Sequence, residues 1–540
     1  MKKLLSKLTA LCLVLAMLLS GCANIDLSGY LENLLAYFAG TMKVSFEDME
    51  YTRPDPDALL DLIDGCIEKA AAETKIKKLM DAVYDVFEGY YQFHTAYSLA
   101  NIHYCKDLTD TYWEEEYNYC MEHNSEVQAA MDQLLYALAD SPLRKELEDE
   151  AYFGPGYFDD YEGDSIWDDT FTALMDQESL LVTQYYTLTA ESANYNPYSE
   201  EFFTTVGADM AQLYLELVQV RQQIATYAGY ASYPEFAYDF YFARDYTPDQ
   251  AVSYMADVRT ELKDLYLNLS YDVWEPYYES CSEEDTFAYV EACADAMGGT
   301  VADAFALMRD ANLYDISYSE NKYDASFETF LYAYGEPYIF VNPQGTCWDK
   351  LTFVHEFGHF CNDYASYGRV TGIDVAEIFS QAMEYLSLFY CDDTEDLARA
   401  KMADSLCVFV EQSVYASFEH QVYSLTGDDL TVENIRSLFE QTGTAFGLDS
   451  THWDSRSYVL IPHFFTSPMY VISYVVSNDA ALQFYQLELA NKGAGLTLYE
   501  QNLATEEPDF LAFVESAGLQ NPFEPGRVKD IRETLEQILS

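Results

Sequence analysis

Apolar residues return along most of this chain with a helical period. Leu59, Leu60, Ile63, Cys66 and Ile67 fall at i, i+1, i+4, i+7 and i+8, which sets them on one face of a helix. Met210, Leu213, Leu217, Val220, Ile224 and Tyr227 keep the same rule, and Gly229 supplies a C-terminal stop. Stripes of this kind face a core. The prolines of Arg53-Pro54-Asp55-Pro56-Asp57 close a preceding segment that covers 23 to about 50. At 153–168 the period fails, and FGPGYFDDYEGDSIWD reads as an exposed, solvated loop whose carboxylates lack calcium-loop spacing. The one strong β signal is a hairpin over 327–341: Phe327–Tyr334 and Tyr338–Val341, parted by Gly335-Glu336-Pro337.

The first residues follow a different rule. Lys2, Lys3 and Lys7 precede an apolar run from Leu8 to Leu19, too short for the roughly 18 residues of a spanning helix. Leu19-Ser20-Gly21-Cys22 resembles a bacterial lipobox, which implies a signal peptide over 1–21 and lipid on the thiol of Cys22. The expected place is the cell envelope, on the extracytoplasmic side of a bacterial membrane.

Charge narrows the partners. The 540 residues hold 92 acidic and 28 basic side chains, a net charge of -64. Such a surface repels phosphate backbones and anionic lipids, so nucleic acid is excluded as a partner and any anchor must be hydrophobic. Loss of Lys2, Lys3 and Lys7 with the leader takes the chain to -67. Disorder does not follow, because hydrophobic residues make up 50% and aromatics 16%. Beyond the anchor the cysteines are odd in number and form no CxxC, so no pairing is assigned.

His355-Glu356-Phe357-Gly358-His359 is an HExxH. On a helix the two imidazoles stand one turn apart on one face and can share an ion, while Glu356 reaches a water there without ligating. A metal brings such a water toward a pKa of about 7, and a carboxylate base delivers it to a carbonyl. A helix as apolar as 353–360 holds two His and a Glu cheaply only when something pairs them. The motif helix should run to about Tyr367, break at Gly368 and restart near Asp374. Glu377 and Glu384 then share a face, and either can be the third ligand. With Asp374 as N-cap, Glu377 merely completes a capping box; with Thr371 as N-cap, it is interior.

These segments resemble the oligoendopeptidase F and thimet oligopeptidase family of zinc peptidases. His355–His359 followed by Asp374-Val-Ala-Glu377 and Glu384 carries the likeness, with Arg221–Tyr233, Arg244-Asp-Tyr-Thr247, and Leu313-Tyr-Asp315 with Lys322. It covers roughly 200–480. The link between the two motif segments is shorter than in the thimet branch, and Asp324-Ala325-Ser326 stands where the family has a glycine. The resemblance implies one zinc per chain held by His355, His359 and Glu377, with Glu384 orienting a ligating histidine. It also implies that His463, Tyr470 and Tyr474 face the ion, donors suited to an oxyanion; Tyr470 and Tyr474 are spaced i, i+4 as on one helical face. His94, His103, His123, His420 and His452 have no metal spacing. Family likeness further casts Tyr338–Val341 as an edge strand that pairs with an extended peptide, while a small sheet that covers the core fits the sequence equally.

The expected fold is mostly α, a two-lobed helical metallopeptidase with a deep channel and a small β-sheet beside the HExxH helix. Its expected parts are a signal peptide at 1–21, an anchor and tether at 22–52, an N-terminal helical lobe at 53–200 and a catalytic lobe at 201–540. The expected activity is zinc-dependent endopeptidase cleavage of short unfolded peptides, with Glu356 as base. Two alternatives stand beside it: a metallocarboxypeptidase or dipeptidase, and a non-catalytic peptide-binding lipoprotein.

Overall fold

The stripe beginning at Leu59 lies on the helix its spacing predicts. The computed structural model describes residues 44–149, 151–161, 166–192, 194–368, 372–391, 394–448, 453–505 and 507–539. The 1–21 leader, Cys22, most of the tether, Thr371 and His452 lie outside the described residues. Helix Pro56–Ala72 starts at Asp55, whose side chain accepts from Ala58 N, and proline sits where its missing N–H costs nothing. Leu59, Ile63, Cys66 and Ala70 are buried on its inner face against helices Ile76–Lys106 and Thr111–Ala139.

These three helices build the smaller of two hydrophobic clusters. Helix Ile76–Lys106 bridges both: Leu79, Val83, Val86 and Phe93 enter the small cluster, while Leu99, Ile102 and Cys105 enter the large one. The 153–168 segment departs from a purely solvated loop. Phe158 is fully buried in the small cluster with Phe153 and Tyr161 against it, because three aromatics outweigh the acids around them.

Helix Val206–Tyr227 buries Met210, Leu213, Leu217, Val220 and Ile224 in the large cluster. Tyr227 leaves the stripe: it is 43% exposed and donates its hydroxyl to Asp168.

The sheet corrects the hairpin reading. Its strands are β1 (Tyr314–Asp315), β2 (Ser326–Leu331) and β3 (Glu336–Val341), in the order β1-β3-β2. β3 pairs parallel with β1 and antiparallel with β2, with Ser326 opposite Val341 and Thr329 opposite Tyr338. Tyr332–Tyr334 form the turn rather than strand. The segment Tyr338–Val341 is therefore central and buried at every position, and both its edges are used. It cannot pair with a peptide; the outer strand is β2. Ser98 Oγ, on the bridging helix, meets Thr329 Oγ1 at 3.2 Å and ties that strand to the small cluster.

Four helices of the large cluster carry the chemistry: the motif helix Trp348–Ser366, a second helix Ile373–Tyr390, a third Glu395–Val422 and a fourth Ile472–Ala490. Cys293 and Cys391, 98 residues apart, form a disulfide that ties the end of the second helix to helix Glu283–Met297. Among the described residues no helix is long and apolar enough to cross a membrane.

Candidate metal centre

Asp349 sets the start of the motif helix. Its buried carboxylate accepts from the backbone N–H groups of Gln344, Gly345 and Thr346 at 2.8 to 2.9 Å, which fixes the turn that enters the helix. Leu351, Phe353, Val354, Phe357 and Phe360 bury its apolar face. The helix ends through Tyr367 in the left-handed region, φ 64°, followed by Gly368, the predicted break.

The second helix starts at Ile373 with Gly372, not Asp374, as its N-cap. Asp374 instead accepts from Arg244 Nε at 3.2 Å and Tyr246 OH at 2.9 Å, so there is no capping box and Glu377 is a buried interior residue. The two helices approach closely at Gly358, where an added Cβ would lie 2.6 Å from Ser380 Cα and 2.7 Å from Phe379 O. This contact brings Glu377 to the histidines.

One donor atom each from His355, His359 and Glu377 lies within 4.8 Å of the others. His355 Nε2 is 3.6 Å from Glu377 Oε2, and its Nδ1 is 2.8 Å from Glu384 Oε1. Glu384 therefore holds the back of the imidazole while Glu377 stands with its front. Glu384 Oε2 is 2.7 Å from Lys401 Nζ, a residue that motif reasoning missed because only the third helix's packing brings it there.

The electrostatics ask for a cation. Burial opposes charge on His355, but Glu384 and Glu377 outweigh it and raise its pKa to about 9, while burial and the neighbouring His355 push His359 well down. Burial lifts Glu356 to about 6 against the pull of His355 and a hydrogen bond from Ser326. That serine stands in the segment where the glycine was missing. Glu356, Glu377 and Glu384 are all buried here, and Lys401 pairs with only the last of them, an excess of anion that a divalent ion offsets. Two imidazoles and a carboxylate are also a fitting donor set for zinc.

The three downstream residues converge on the same place by different routes. Tyr470 lies just before the fourth helix rather than on it, and donates to Glu377 Oε1 at 3.1 Å. Tyr474, on that helix, lines the cavity and contacts His463 Nε2 at 3.4 Å; His463 stands behind it and does not line the cavity. Buried arginines pin this loop. Arg221 donates to Phe464 O and Phe465 O beside His463, and Arg244 Nη1 donates to Met469 O at 3.0 Å and Nη2 to Ser473 Oγ at 2.7 Å. Lys322 likewise holds Asp315 and Val341 O at the end of the sheet.

A cavity of about 780 Å³ opens over these groups, floored by the motif and second helices and walled by β2. A second, about 450 Å³, runs between β2 and the bridging helix and shares Glu328, His359 and Ala376 with the first. Of the other histidines, His94 meets Gln128 Nε2 at 3.1 Å, His103 stacks on Trp113 and His420 bonds Ala416 O and Tyr238 OH.

The Peptidase M3 N-terminal domain profile matches residues 46–165, and the Peptidase family M3 profile matches 294–505. No curated protein matches the chain. Among solved structures it is similar to a candidate oligoendopeptidase F with a TM-score of 0.80 at 21% identity, covering 92% of this chain and 98% of that one. A second candidate oligoendopeptidase F, from Bacillus anthracis, has a TM-score of 0.76 at 21% identity with the same coverage. PZ peptidase A bound to an inhibitor gives 0.80 at 18% identity, covering 92% and 99%. At these identities the structural likeness establishes the fold.

Proposed function

The chain belongs to peptidase family M3 and is a metallopeptidase, and from that premise we propose that it is a zinc-dependent endopeptidase of short, unfolded peptides. The observation that carries this reading is the convergence of His355, His359 and Glu377 beside a cavity lined by Glu356, which among the described residues pairs with no lysine or arginine. Those three residues would hold one ion, and Glu384 would keep the Nδ1 proton of His355 turned away from it. When bound, zinc supplies a Lewis acid that acidifies water and polarises a carbonyl.

Glu356 takes the proton of the attacking water and returns it to the departing amine. Burial holds its pKa above the ordinary carboxylate range, which favours uptake of that proton. The Tyr474 hydroxyl, held from behind by His463, donates to the carbonyl oxygen as charge builds there. Tyr470 donates to Glu377 in this structure, so its first duty is to fix that carboxylate. An extended peptide is aligned along β2, the strand at the sheet's edge and the wall of both cavities.

Endopeptidase action is favoured over carboxypeptidase action by charge. Among the described residues the one lysine or arginine lining the larger cavity is Lys401, already engaged by Glu384 and Asp404. Among the described residues no cation is left there to seize a substrate's terminal carboxylate. The retained base Glu356 argues against a purely binding role. Export with a lipid anchor at Cys22 is part of the proposal, resting on the Lys2–Cys22 pattern.

The test is hydrolysis of a peptide library, each member with a free or amidated C-terminus, alongside metal analysis. The expected result is internal cleavage indifferent to amidation by a chain holding one zinc. Products that require a free C-terminus would favour the carboxypeptidase, and full zinc occupancy in Glu377→Ala would shift the third ligand to Glu384.

A further inference from the structure

Lys401 lies one layer behind the histidines, on the third helix, and is 3% exposed. Its ammonium touches two carboxylates at once, Glu384 Oε2 at 2.7 Å and Asp404 Oδ2 at 3.0 Å, and sits 5.2 Å from the centre of the Tyr385 ring. Glu384 spends its other oxygen on His355 Nδ1 at 2.8 Å. Three helices therefore contribute to a single line of contacts, Asp404 to Lys401 to Glu384 to His355, that ends on a proposed ligand.

We infer that Lys401 is a positioning residue for the metal centre and acts through Glu384. This rests on the zinc reading above. A ligating imidazole presents one nitrogen to the ion only while the other donates to a fixed acceptor. Glu384 has three side-chain torsions and is buried, so something must hold its carboxylate in one rotamer and balance its charge. Lys401 does both: it occupies Oε2, which leaves Oε1 facing Nδ1. Asp404 holds the ammonium from the far side, three residues along the same helix. Without Lys401 the carboxylate keeps the imidazole as its one partner, its second oxygen is left without a donor in a desolvated site and turns toward whatever it can find, and the imidazole is freed to rotate. A lysine meant to anchor substrate would present an unshared ammonium to the cavity, which this one does not.

The test is a double-mutant cycle on the full chain: wild type, Lys401→Met, Glu384→Gln and the double variant. Zinc dissociation constants come from chelator competition, and melting of the zinc-free chains controls for folding. Each single variant is expected to bind zinc roughly 10–100-fold more weakly. The double variant should fall within about twofold of Glu384→Gln alone, since a residue acting through Glu384 has nothing left to act on. Lys401→Arg, which keeps a charged donor, should stay nearer wild type than Lys401→Met. Unchanged affinity in Lys401→Met would overturn the inference. So would an undiminished loss in the Glu384→Gln background, which would make Lys401 an independent strut between helices. If Lys401→Met does not fold, Lys401→Gln takes its place in the cycle with the same outcomes. Wild-type chain that binds no zinc would overturn the zinc reading and this inference together, a result distinct from either of the others.

Discussion

Gly358 lies between the two histidines of the motif where the second helix packs tightly against it, so adding one methyl there is a sharp perturbation. The new Cβ would meet Ser380 Cα at 2.6 Å, Phe379 O at 2.7 Å and Met383 Cβ at 3.0 Å, where ordinary contact is 3.4–4 Å. Two of these three atoms are backbone, so no rotamer change relieves them and the helices must part by about 0.8–1 Å. Glu377 lies on the second helix three residues before Ser380 and moves with it. Zinc ligation tolerates about 0.2 Å around bonds of about 2.0–2.2 Å, so a displacement of that size breaks the coordination. In an exposed helix Gly→Ala stabilises by roughly 1 kcal/mol. Here Gly358→Ala should destabilise the zinc-free chain by about 1–3 kcal/mol, the usual cost of overpacking. Zinc affinity should drop about tenfold or more, as for a displaced ligand shell. Urea unfolding of the zinc-free protein and chelator competition measure the two effects. An alanine variant as stable as wild type, with the same zinc affinity, would refute the argument that this close approach positions Glu377.

Other perturbations reach the site from further out. Arg244→Met removes the donors to Asp374, Met469 and Ser473 and strands a buried carboxylate, so unfolding should cost about 3–5 kcal/mol less; Arg244→Lys should recover part of it in the same urea titration. Burial raises Glu419 from its ordinary 4.5 to about 8, although its Oε1 accepts from Met469 N. A folded-state pKa above the unfolded one means that the folded chain binds more protons between about pH 4.5 and 8, so wild-type stability falls as pH rises through that window. Glu419→Gln should lack this fall and gain on wild type by a few kcal/mol, roughly, between pH 5 and pH 9 in calorimetry; parallel pH profiles would contradict it. The charge of -64 should draw in cationic substrates: kcat/KM for a basic peptide should exceed that for an acidic one at low salt and decline roughly tenfold in high salt, and equal, salt-independent values would reduce the charge to a solubility device.

What could be read along the chain was local. His355 and His359 one turn apart, the break at Gly368 and the stripes at 59–67 and 210–224 all follow from helical period, and the structure has them there. The role of Asp374 was not local. Whether it caps a helix depends on Arg244 and Tyr246, which arrive from about 130 residues upstream in the chain. The edge-strand assignment failed for a similar reason: β1 is two residues long, carries no alternation of its own, and by pairing with β3 turns an expected edge into a centre. Lys401 belongs to the same class. In Arg399-Ala400-Lys401-Met402 it looks like any solvated lysine on a helix, and only packing shows it buried against Glu384. The disulfide between Cys293 and Cys391 spans 98 residues and had no spacing to betray it.

The central claim is that Glu356 is the base of a zinc peptidase, and the direct measurement is hydrolysis of a quenched peptide by wild type and Glu356→Gln, with zinc content determined on the same samples. The account predicts one zinc in both proteins and a kcat lower by about 10²–10⁴-fold in the variant, because the donor set is intact and only the base is gone. A zinc-loaded Glu356→Gln chain that cleaves at the wild-type rate, or a zinc-loaded wild type that cleaves no peptide of a diverse library, would contradict it.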